Sequence, residues 1–423
     1  MAVTSGAGGA SGGTGGDHSR LLAGIRALRR GSSHQAAGHR PLRVLHCCGM
    51  FGVNQGGTER KARAVCEALA ARSHEVRVLC RRGAAVAAVT GVETIPRIRA
   101  VDRGRLFGVT YLGSAMFHLR RLARGADLLH AHHLYLDAVA ALLAGRSQRR
   151  PVVAKMAGAG PGGDLDRLRK TAGGSLLLGL LRGLDVVIAP SPTCRSELLA
   201  AGFPAGRIHV IWNGVDTYLF RPEPAPGVAA SMATQGGPTV VFSGRLIEAK
   251  GLVELLEAWP LLLREVPDAH LVLVGSGPLQ TDLQRRAASP PLAGRVHLVG
   301  EVRDVRPYLG VASAFVFPSW AEGFPNALLE AMAMGLPCVS TDIGPISDAV
   351  TDGEEALLVP VRAPQALSAA LGRILTQPDL AARLGRAARK RVETEFSLER
   401  EVDTLEALYR EMTSDRGRRE QRG

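Results

Sequence analysis

Short hydrophobic runs alternate with longer amphipathic segments along most of the chain. Residues 42–80 contain an apolar run, a glycine-rich turn, a segment of helical period and a second apolar run. The alternation continues between residues 126 and 216, where runs such as "ADLLHAHH" and "LDVVIAP" are separated by helical patterns. Short apolar runs between helices are typical of parallel strands that are covered on both faces. The first half of the chain is therefore predicted to be an α/β domain.

A second alternating series follows a break in the pattern. Residues 221–238 are rich in proline and glycine and have no apolar period, as expected of a linker. The series that follows predicts a second doubly wound, Rossmann-like domain, which would face the first across a cleft at the carboxyl ends of both sheets. The predicted boundaries are a disordered Gly-rich tail at 1–40, domains at 41–220 and 238–396, a helix at 397–412 and a charged tail at 413–423.

Length and composition agree with two globular domains. The chain has 423 residues, whereas a single core rarely grows beyond about 250–300. No apolar run approaches the roughly 20 uninterrupted residues of a membrane span, and the first 40 residues contain no secretory h-region. We therefore expect a cytoplasmic protein. The six cysteines form no CxxC pair, which favours reduced thiols in the core.

Positive charge is concentrated in the first half of the chain. Residues 1–216 carry 30 Lys and Arg against 13 Asp and Glu, a net of +17, while the rest carries 22 against 26, a net of −4. A basic half suits an anionic partner, but an aromatic content of only 4% disfavours nucleic acid. Residues 117–125, "FHLRRLARG", favour peripheral contact with an anionic membrane. A solvated amphipathic face is the alternative.

The segment "SWAEGFPNALLEAMAMGLPCVSTD" at 319–342 carries two carboxylates, Glu322 and Glu330. Pro325 suits a first helical turn, so Glu322 is predicted in the preceding loop and Glu330 on the second turn. Helical spacing would put their backbones roughly 12 Å apart, beyond the carboxyl separation of glycosidase pairs. Free amides of the loop from Gly323 to Asn326, at the helix start, could instead hold a diphosphate, with Glu330 on a ribose and Glu322 near the transferring group. The alternative is that Glu322 is an acid favoured at a helix start by the helix dipole and that Glu330 is a solvated helix residue.

Three further patterns resemble motifs of metal or nucleotide chemistry. The histidines of "DLLHAHH" lack a nearby cysteine or carboxylate in the sequence to complete a zinc site, so no metal is predicted. "DLD" resembles a metal motif of another transferase fold, but capping of a helix by Asp164 explains it better than a site shared with Asp166. "GSGPLQ" lacks the third glycine of a nicotinamide-binding turn.

The whole set of motifs resembles family 4 retaining glycosyltransferases of GT-B fold. "EGFPNALLE" matches the E-x7-E motif of that family. Other family landmarks occur in the same order, among them "GGTER", "DLLHAHH", "IWNGVDTYLFRP", "FSGRLIEAKG", "VHLVGEV" and "DGEEALLVP". The resemblance extends from about residue 42 to about residue 410. Each motif is weak alone, but the ordered set is specific.

The resemblance implies roles for individual residues. Arg245 and Lys250 look like the basic pair on the donor diphosphate, Glu322 like the acid near the transferring sugar, and His132 like the histidine that approaches sugar or acceptor. The alternative for Arg245 and Lys250 is a pair of solvated charges at a strand end. The alternative for the glycine loop, Gly56 and Gly57, is a tight turn. The residues implied in donor binding, besides that basic pair, are Gly56, Gly57, Val302, Gly323, Phe324, Pro325, Asn326 and Glu330.

The resemblance also implies an activity. A hexosyl group would pass from a nucleotide-diphosphate sugar to an acceptor hydroxyl with retention of configuration, without a metal or other cofactor. The donor would bind the C-terminal domain, and a sugar, lipid-linked or glycan acceptor would bind the basic N-terminal domain at the inner face of the cell membrane. Glycolipid or polysaccharide synthesis for the cell envelope would be the setting. A GT-B epimerase or phosphorylase, or a non-enzymatic nucleotide-sugar-binding protein, are the alternatives.

Overall fold

A computed structural model describes residues 40–51, 57–82, 89–222 and 236–420, apart from the side chains of residue 105 and residues 415–420. The predicted tail at 1–40 lies outside the described residues except for Arg40, and so does most of the predicted linker. Gly56 of the glycine loop is also outside them.

The N-terminal lobe is built on a seven-stranded parallel sheet in the order β3-β2-β1-β4-β5-β6-β7. Its central strands are buried along their whole length, as expected when helices cover both faces. The strands are β1 (Arg43–Cys47), β2 (Glu75–Arg81), β3 (Val92–Ile98), β4 (Leu128–Ala131), β5 (Val152–Lys155), β6 (Val186–Ala189) and β7 (Ile208–Val210). The helices are α1 (Gly57–Ala71), α2 (Gly104–Leu122), α3 (Leu136–Ser147), α4 (Asp164–Lys170), α5 (Gly174–Leu181) and α6 (Pro192–Ala200).

The C-terminal lobe has a six-stranded parallel sheet in the order β10-β9-β8-β11-β12-β13. The strands are β8 (Thr239–Ser243), β9 (His270–Val274), β10 (Val296–Gly300), β11 (Ala314–Phe317), β12 (Cys338–Thr341) and β13 (Ala356–Val359). The helices are α7 (Leu252–Glu265), α8 (Gln280–Ala287), α9 (Arg306–Gly310), α10 (Asn326–Ala333), α11 (Gly344–Ser347), α12 (Pro364–Thr376), α13 (Pro378–Glu395) and α14 (Leu398–Glu420). Two parallel sheets with helices confirm the predicted doubly wound α/β fold class.

Each sheet has one point at which the strand order reverses direction. In the N-terminal lobe it lies between β1 and β4, and in the C-terminal lobe between β8 and β11. Ligands bind at such points in open α/β sheets, because the crossovers leave on opposite faces and open a crevice at the carboxyl ends of the strands. The functional site is therefore expected at the ends of these four strands.

Helix α14 leaves the C-terminal lobe and completes the core of the N-terminal lobe. Leu398, Val402, Leu405 and Tyr409 are buried in one hydrophobic cluster with residues of β1, β2 and α1. Their spacing gives the helix an apolar stripe, which explains why it docks along its length. The helix continues to Glu420, so the predicted end at residue 412 is too early and residues 413–420 are helical instead of a tail.

The carboxyl ends of the two sheets face each other, because the loop after β5 contacts the loop after β11. A Cβ added at Gly323 would lie 2.3 Å from the carbonyl oxygen of Ala157 across the lobe boundary. The Cys194 thiol also lies 3.2 Å from the carbonyl oxygen of Gly323. The backbone of Gly323 therefore contacts the N-terminal lobe through both a backbone carbonyl group and a thiol.

Candidate functional site

Lys250 and Glu322 form an ion pair at the switch point of the second sheet. Lys250 follows β8 and Glu322 follows β11, the two neighbouring strands at which the order reverses. Gly251 makes the approach possible: its φ is 65°, and a Cβ there would lie 2.0 Å from the carbonyl oxygen of Pro318. The ammonium of Lys250 also sits 4.7 Å from the centre of the Phe317 ring. The lysine is thus held in one place before any ligand arrives.

Arg245 lies beside this pair but is exposed. Among the residues that the structure describes, no ion pair or hydrogen bond engages its guanidinium group. Gly244, its neighbour in the chain, approaches the Lys250 side chain, since a Cβ at Gly244 would lie 3.9 Å from Lys250 Cε. The two cations therefore lie on the same loop edge, one fixed by Glu322 and one available for an anion.

Helix α10 opens towards the cleft without a capping side chain. It begins at Asn326, and the preceding position is Pro325, which has no side-chain oxygen with which to accept a hydrogen bond. The amides of Ala327 and Leu328 in its first turn are therefore left for another acceptor, as at anion-binding helix starts. The expectation of free amides across Gly323 to Asn326 is wrong in part, because the Asn326 amide donates to the carbonyl oxygen of Phe324 at 2.9 Å.

Phe324 is a packing residue in this structure. Its ring is buried, 5.4 Å from the centre of the Trp212 ring and 5.7 Å from that of Phe396. The side chain therefore anchors the loop before α10 to the aromatic residues where the lobes join. Only the backbone of Phe324 remains available for contact with a donor. The role in donor binding that the resemblance implies for Phe324 would therefore be a backbone role.

Glu330 lies on the second turn of α10, as predicted, with one oxygen unsatisfied. Its Oε1 is 3.9 Å from the Arg60 guanidinium, while the buried Oε2 has no hydrogen-bond partner among the described residues. Burial raises the pKa of Glu330, against the lowering effect of Arg60 and Lys61. A buried carboxylate oxygen without a donor is costly, so a ligand hydroxyl in reach of it would stabilise the site.

Helix α1 of the N-terminal lobe begins opposite α10. A Cβ at Gly57 would lie 3.5 Å from the Asn326 side-chain nitrogen. Two helix N-termini, each carrying about half a positive charge, therefore converge on the same part of the cleft. Glu59, Arg60 and Lys61 follow at the start of α1 and together add one net positive charge to that end.

Three histidines occupy the switch point of the first sheet. His46 and His130 are paired in register on β1 and β4, and His132 follows β4. His46 Nδ1 lies 2.9 Å from His132 Nε2, and His130 Nδ1 lies 2.5 Å from the hydroxyl of Tyr409 on α14. Burial lowers the pKa of His46 to about 3 and the pKa of His130 and His132 well below their usual value. All three rings are therefore neutral at physiological pH.

Cys66 on α1 also belongs to this cluster. Its sulfur and one nitrogen each of His46 and His132 lie within 4.8 Å of one another. The sequence pattern gave no sign of this, because 66 positions separate Cys66 from His132 and only the packing of α1 on the sheet brings them together. Burial raises the pKa of the Cys66 thiol.

A pocket between the lobes is lined by His130 and His132 together with two lysines that the sequence analysis did not single out. Lys155, at the end of β5, donates to Glu401 at 2.8 Å, and Lys61 pairs with the same carboxylate. The backbone amide of Gly214 donates to the other oxygen of Glu401 at 2.8 Å. The remaining lining residues are Thr58, Val65, Met156, Ala157, Asn213, Asn326 and Leu405.

This pocket carries an excess of positive charge. Two buried ammonium groups share one carboxylate, so one positive charge is left without a counter-ion in the trio of Lys61, Lys155 and Glu401. Burial would raise the pKa of Glu401, but the two lysines outweigh it and hold that pKa below its usual value. The floor of the cleft therefore suits an anionic or hydroxyl-rich ligand.

Asp164 does not cap helix α4, so that expectation is wrong. Asp164 is the first helical residue, and its Oδ2 accepts from the Ala157 amide at 2.6 Å and from the Leu134 amide at 3.3 Å. It therefore ties together two loops at the carboxyl end of the sheet. Asp166 points elsewhere, accepting from Lys170 at 2.7 Å.

Val302 lies at the outer end of the donor side. It follows β10, is half-buried, and packs against the core of the C-terminal lobe. Next to it, Glu301 accepts from the Ser276 hydroxyl at 3.1 Å. The loop is thus held to the segment that follows β9, and the role of Val302 in donor binding stays a prediction.

Comparison with known proteins agrees with this geometry. A family model described as Glycosyltransferase Family 4 matches residues 55–219, and one described as Glycosyl transferases group 1 matches residues 237–377. The lipopolysaccharide core biosynthesis mannosyltransferase LpcC of Rhizobium leguminosarum is 30% identical over 243 residues, covering 56% of this chain and 67% of that protein. The chain belongs to glycosyltransferase family 4.

Other relatives of this family 4 glycosyltransferase match over a smaller share of their length. The alpha-maltose-1-phosphate synthase of Mycolicibacterium smegmatis is 33% identical over 54% of this chain and 64% of its own. The GDP-mannose-dependent alpha-(1-6)-phosphatidylinositol monomannoside mannosyltransferase of Mycobacterium tuberculosis is 31% identical over 52% of this chain. The match spans 60% of that relative's length.

Solved structures share the fold of this glycosyltransferase. HepE from Anabaena, in complex with UDP and glucose, superposes with a TM-score of 0.73 at 20% identity, covering 87% of this chain and 99% of that one. WaaG, a glycosyltransferase involved in lipopolysaccharide biosynthesis, gives a TM-score of 0.67 at 18% identity, covering 84% and 97%. The predicted GT-B architecture is confirmed.

Proposed function

We propose that this glycosyltransferase moves a hexosyl group from a nucleotide-diphosphate sugar to an acceptor hydroxyl with retention of configuration. One observation carries the proposal: the uncapped start of α10 opens next to the Lys250–Glu322 pair and the unpaired Arg245. Open amides and fixed cations at one edge suit a diphosphate. One relative is a GDP-mannose-dependent mannosyltransferase and HepE was solved in complex with UDP, which supports a nucleotide-sugar donor for this chain.

The basic pair would stabilise the departing nucleoside diphosphate. As the bond between the sugar and the diphosphate breaks, negative charge develops on the phosphate oxygen, and Arg245 and Lys250 are placed to neutralise it. Glu322 holds Lys250 in position beforehand, so no reorganisation is needed when the charge appears. We therefore propose that two side-chain cations act where other transferases use a divalent ion, and that the enzyme needs no metal.

Retention is proposed to follow from attack on the face that the diphosphate leaves. Glu322 is already paired with Lys250, so it is not free to act as a covalent nucleophile. The departing phosphate would then accept the proton of the acceptor hydroxyl as the new bond forms. His132 is neutral and buried beside the pocket, so it offers a hydrogen bond to the sugar or acceptor and no charge.

Glu330 is proposed to hold the donor ribose. Its Oε2 is buried and has no partner within the described part of the chain, and a ribose diol supplies hydroxyl donors. No described feature favours the epimerase or phosphorylase alternative. The cations and acids whose loss would indicate a binding protein without turnover are all present.

Differential scanning fluorimetry with nucleotide sugars tests the donor site. We expect one class among uridine, guanosine and adenosine diphosphate sugars to raise the melting temperature without added metal, because a ligand that binds only the folded state stabilises it. Arg245→Ala should lose most of that rise, whereas Arg264→Ala, which removes an exposed arginine of α7, should keep it. Equal responses of both variants would refute the diphosphate site.

Product analysis tests the chemistry. We expect NMR to show the same anomeric configuration in donor and product, and activity to persist after dialysis against a chelator. An inverted product, or activity that returns only with a divalent ion, would refute retention or metal independence respectively. A covalent glycosyl adduct on Glu322 in mass spectrometry would refute attack from the leaving-group face.

The acceptor side is proposed to sit against an anionic membrane. Helix α2 exposes a stripe of large apolar side chains at Leu106, Val109 and Phe117, of which Val109 is 72% exposed. Arg121 lies 5.7 Å from the Phe117 ring centre, so cations flank the stripe. Apolar residues flanked by arginine are suited to insertion at the boundary between headgroups and acyl chains.

An arginine pocket adjoins the same helix. It is lined by Arg82, Pro96, Arg97, Arg99 and His118. Burial and the neighbouring Arg97 lower the pKa of His118, so the histidine adds no charge of its own. The pocket is suited to a headgroup phosphate. Within the described residues, no helix is long and apolar enough to cross a membrane, so contact of this kind would be peripheral.

Vesicle co-sedimentation tests the membrane contact. We expect the protein to bind vesicles that contain phosphatidylglycerol and to bind vesicles of phosphatidylcholine alone more weakly. Salt at about 0.5 M should reduce the bound fraction several-fold, because it screens the charges. Val109→Glu should weaken binding, whereas Leu176→Glu, which changes an equally exposed leucine of α5, should leave it unchanged. The same loss in both variants would point to non-specific charge effects and refute docking through α2.

A further inference from the structure

The histidine cluster at the first switch point has the composition of a transition-metal site. One nitrogen of His46, one nitrogen of His132 and the Cys66 sulfur lie within 4.8 Å of one another, and all three side chains are buried. Two imidazoles and one thiol are ligands that Zn²⁺ accepts readily. The set draws on β1, α1 and the end of β4, so three separate elements converge on it.

An unsatisfied polar atom in the cluster points to a ligand. His46 Nε2 is buried and has no hydrogen-bond partner among the described residues. When the proton of His46 lies on Nδ1, 2.9 Å from His132 Nε2, the lone pair of the unpartnered Nε2 is left for an ion. The Cys66 thiol loses its proton when the ion binds.

The distances require only small movements. Zn–N bonds of about 2.0–2.1 Å and a Zn–S bond of about 2.3 Å place two tetrahedral nitrogen ligands about 3.3 Å apart and each about 3.6 Å from the sulfur. The ligand nitrogens of His46 and His132 lie within 4.8 Å of each other, so they need to approach by about 1.5 Å at most. The sulfur needs to approach by about 1.2 Å at most, which side-chain rotation supplies.

The pocket between the lobes gives the ion a route. His132 lines that pocket, so an ion can reach the cluster from the cleft. With three protein ligands, the fourth position would face the pocket and hold water, as in open zinc sites. Because His132 is also the residue proposed to approach the sugar or acceptor, an ion that holds it would withdraw it from the reaction.

We propose that His46, Cys66 and His132 form an inhibitory Zn²⁺ site at the floor of the cleft. The ion takes one lone pair from each neutral imidazole and one from the thiolate. The Cys66 thiol releases a single proton to solvent, the imidazole protons stay on the rings, and no redox change occurs. The binding part of this inference stands without the proposed transferase activity, and only the inhibitory part rests on it.

Titration of the metal-free protein with Co²⁺ and Zn²⁺ tests the site. We expect one equivalent of Co²⁺ to bind with the near-ultraviolet charge-transfer band of a cobalt–thiolate bond, and Zn²⁺ to displace it. Calorimetry in two buffers of different ionisation enthalpy should show release of about one proton. Cys66→Ser should abolish the band and weaken binding by more than about tenfold. Cys338→Ser, which changes an equally buried thiol in the other lobe, should keep both.

His46→Asn serves as a second variant should Cys66→Ser fold poorly, with circular dichroism as the check on folding. Cobalt binding without the charge-transfer band, or a band that survives in Cys66→Ser, would overturn the site. If the site is real, Zn²⁺ should inhibit transfer in the wild type and in Cys338→Ser but not in Cys66→Ser. Metal binding with unchanged activity would overturn the inhibitory role alone.

Discussion

The carboxylate of Glu401 carries the clearest stability prediction in the molecule. It is buried between Lys155 and Lys61, and also accepts from the Gly214 amide, so Glu401→Gln keeps the shape and removes the charge. Both lysines would then lack a counter-ion. At the 2.8 Å distance to Lys155, a unit charge pair contributes about 6 kcal/mol at an effective dielectric constant of about 20.

The net loss is smaller than this Coulomb value. Removal of the charge also removes the cost of desolvating it, and breaking a buried ion pair typically destabilises by about 3–5 kcal/mol. We expect Glu401→Gln to lower the free energy of unfolding by that amount. Because α14 belongs to the core of the N-terminal lobe, the transition of that lobe should move first.

Urea denaturation followed by circular dichroism and intrinsic fluorescence measures the effect. The control is Glu411→Gln, which changes an exposed acid of the same helix and should shift the free energy by less than about 0.5 kcal/mol. A double-mutant cycle that combines Glu401→Gln with Lys155→Met isolates the coupling energy between Lys155 and Glu401. A loss below about 1 kcal/mol in Glu401→Gln would show that the lysines are relieved by other means and refute the buried-charge reasoning.

Two further predictions follow from backbone contact and from titration. Gly323→Ala should reduce transfer and destabilise by about 1–3 kcal/mol, because its Cβ would lie 2.3 Å from the Ala157 carbonyl oxygen, whereas Gly179→Ala, with open space around it, should do neither. Similar activities of the two variants would contradict a tight lobe contact. Burial would lower the pKa of His133, but the nearby Asp137 raises it to about 9. The charged histidine therefore stabilises the fold fully below pH 6.5, and that stability is lost as the pH rises through 9. His133→Gln should flatten the decline of urea midpoints over this range, and an unchanged slope would refute it.

The fold could be predicted from the sequence because its signal is local and repeated. Most strands of both sheets are short apolar runs next to helices, although β3 is mixed and largely exposed. The break in the pattern falls where the structure changes sheets. The ion pair between Glu322 and Lys250 was not predicted, although both residues follow strands of one sheet. The functional roles of Arg245, Lys250 and Glu330 remain predictions until a ligand complex tests them.

What the sequence could not predict depends on contacts between distant segments. Glu401 lies far from Lys61 and Lys155 in the chain. No local sequence pattern predicts that α14 packs against the N-terminal lobe. For Asp164 the sequence predicted a local contact that does not form. Its position favoured capping of α4, but its carboxylate accepts from the Ala157 amide instead of from an amide of the helix. Cys66 joined the histidines for the same reason, through packing across elements.

The return of α14 to the first lobe has a consequence for the order in which the protein can be completed. During synthesis the residues of β1, β2, β4, β5 and β6 leave the ribosome long before Leu398 to Tyr409, yet they share one core with them. The first half of the molecule must therefore wait, with apolar surface uncovered, until the second half has been made. The lobe that starts first is the lobe that finishes last.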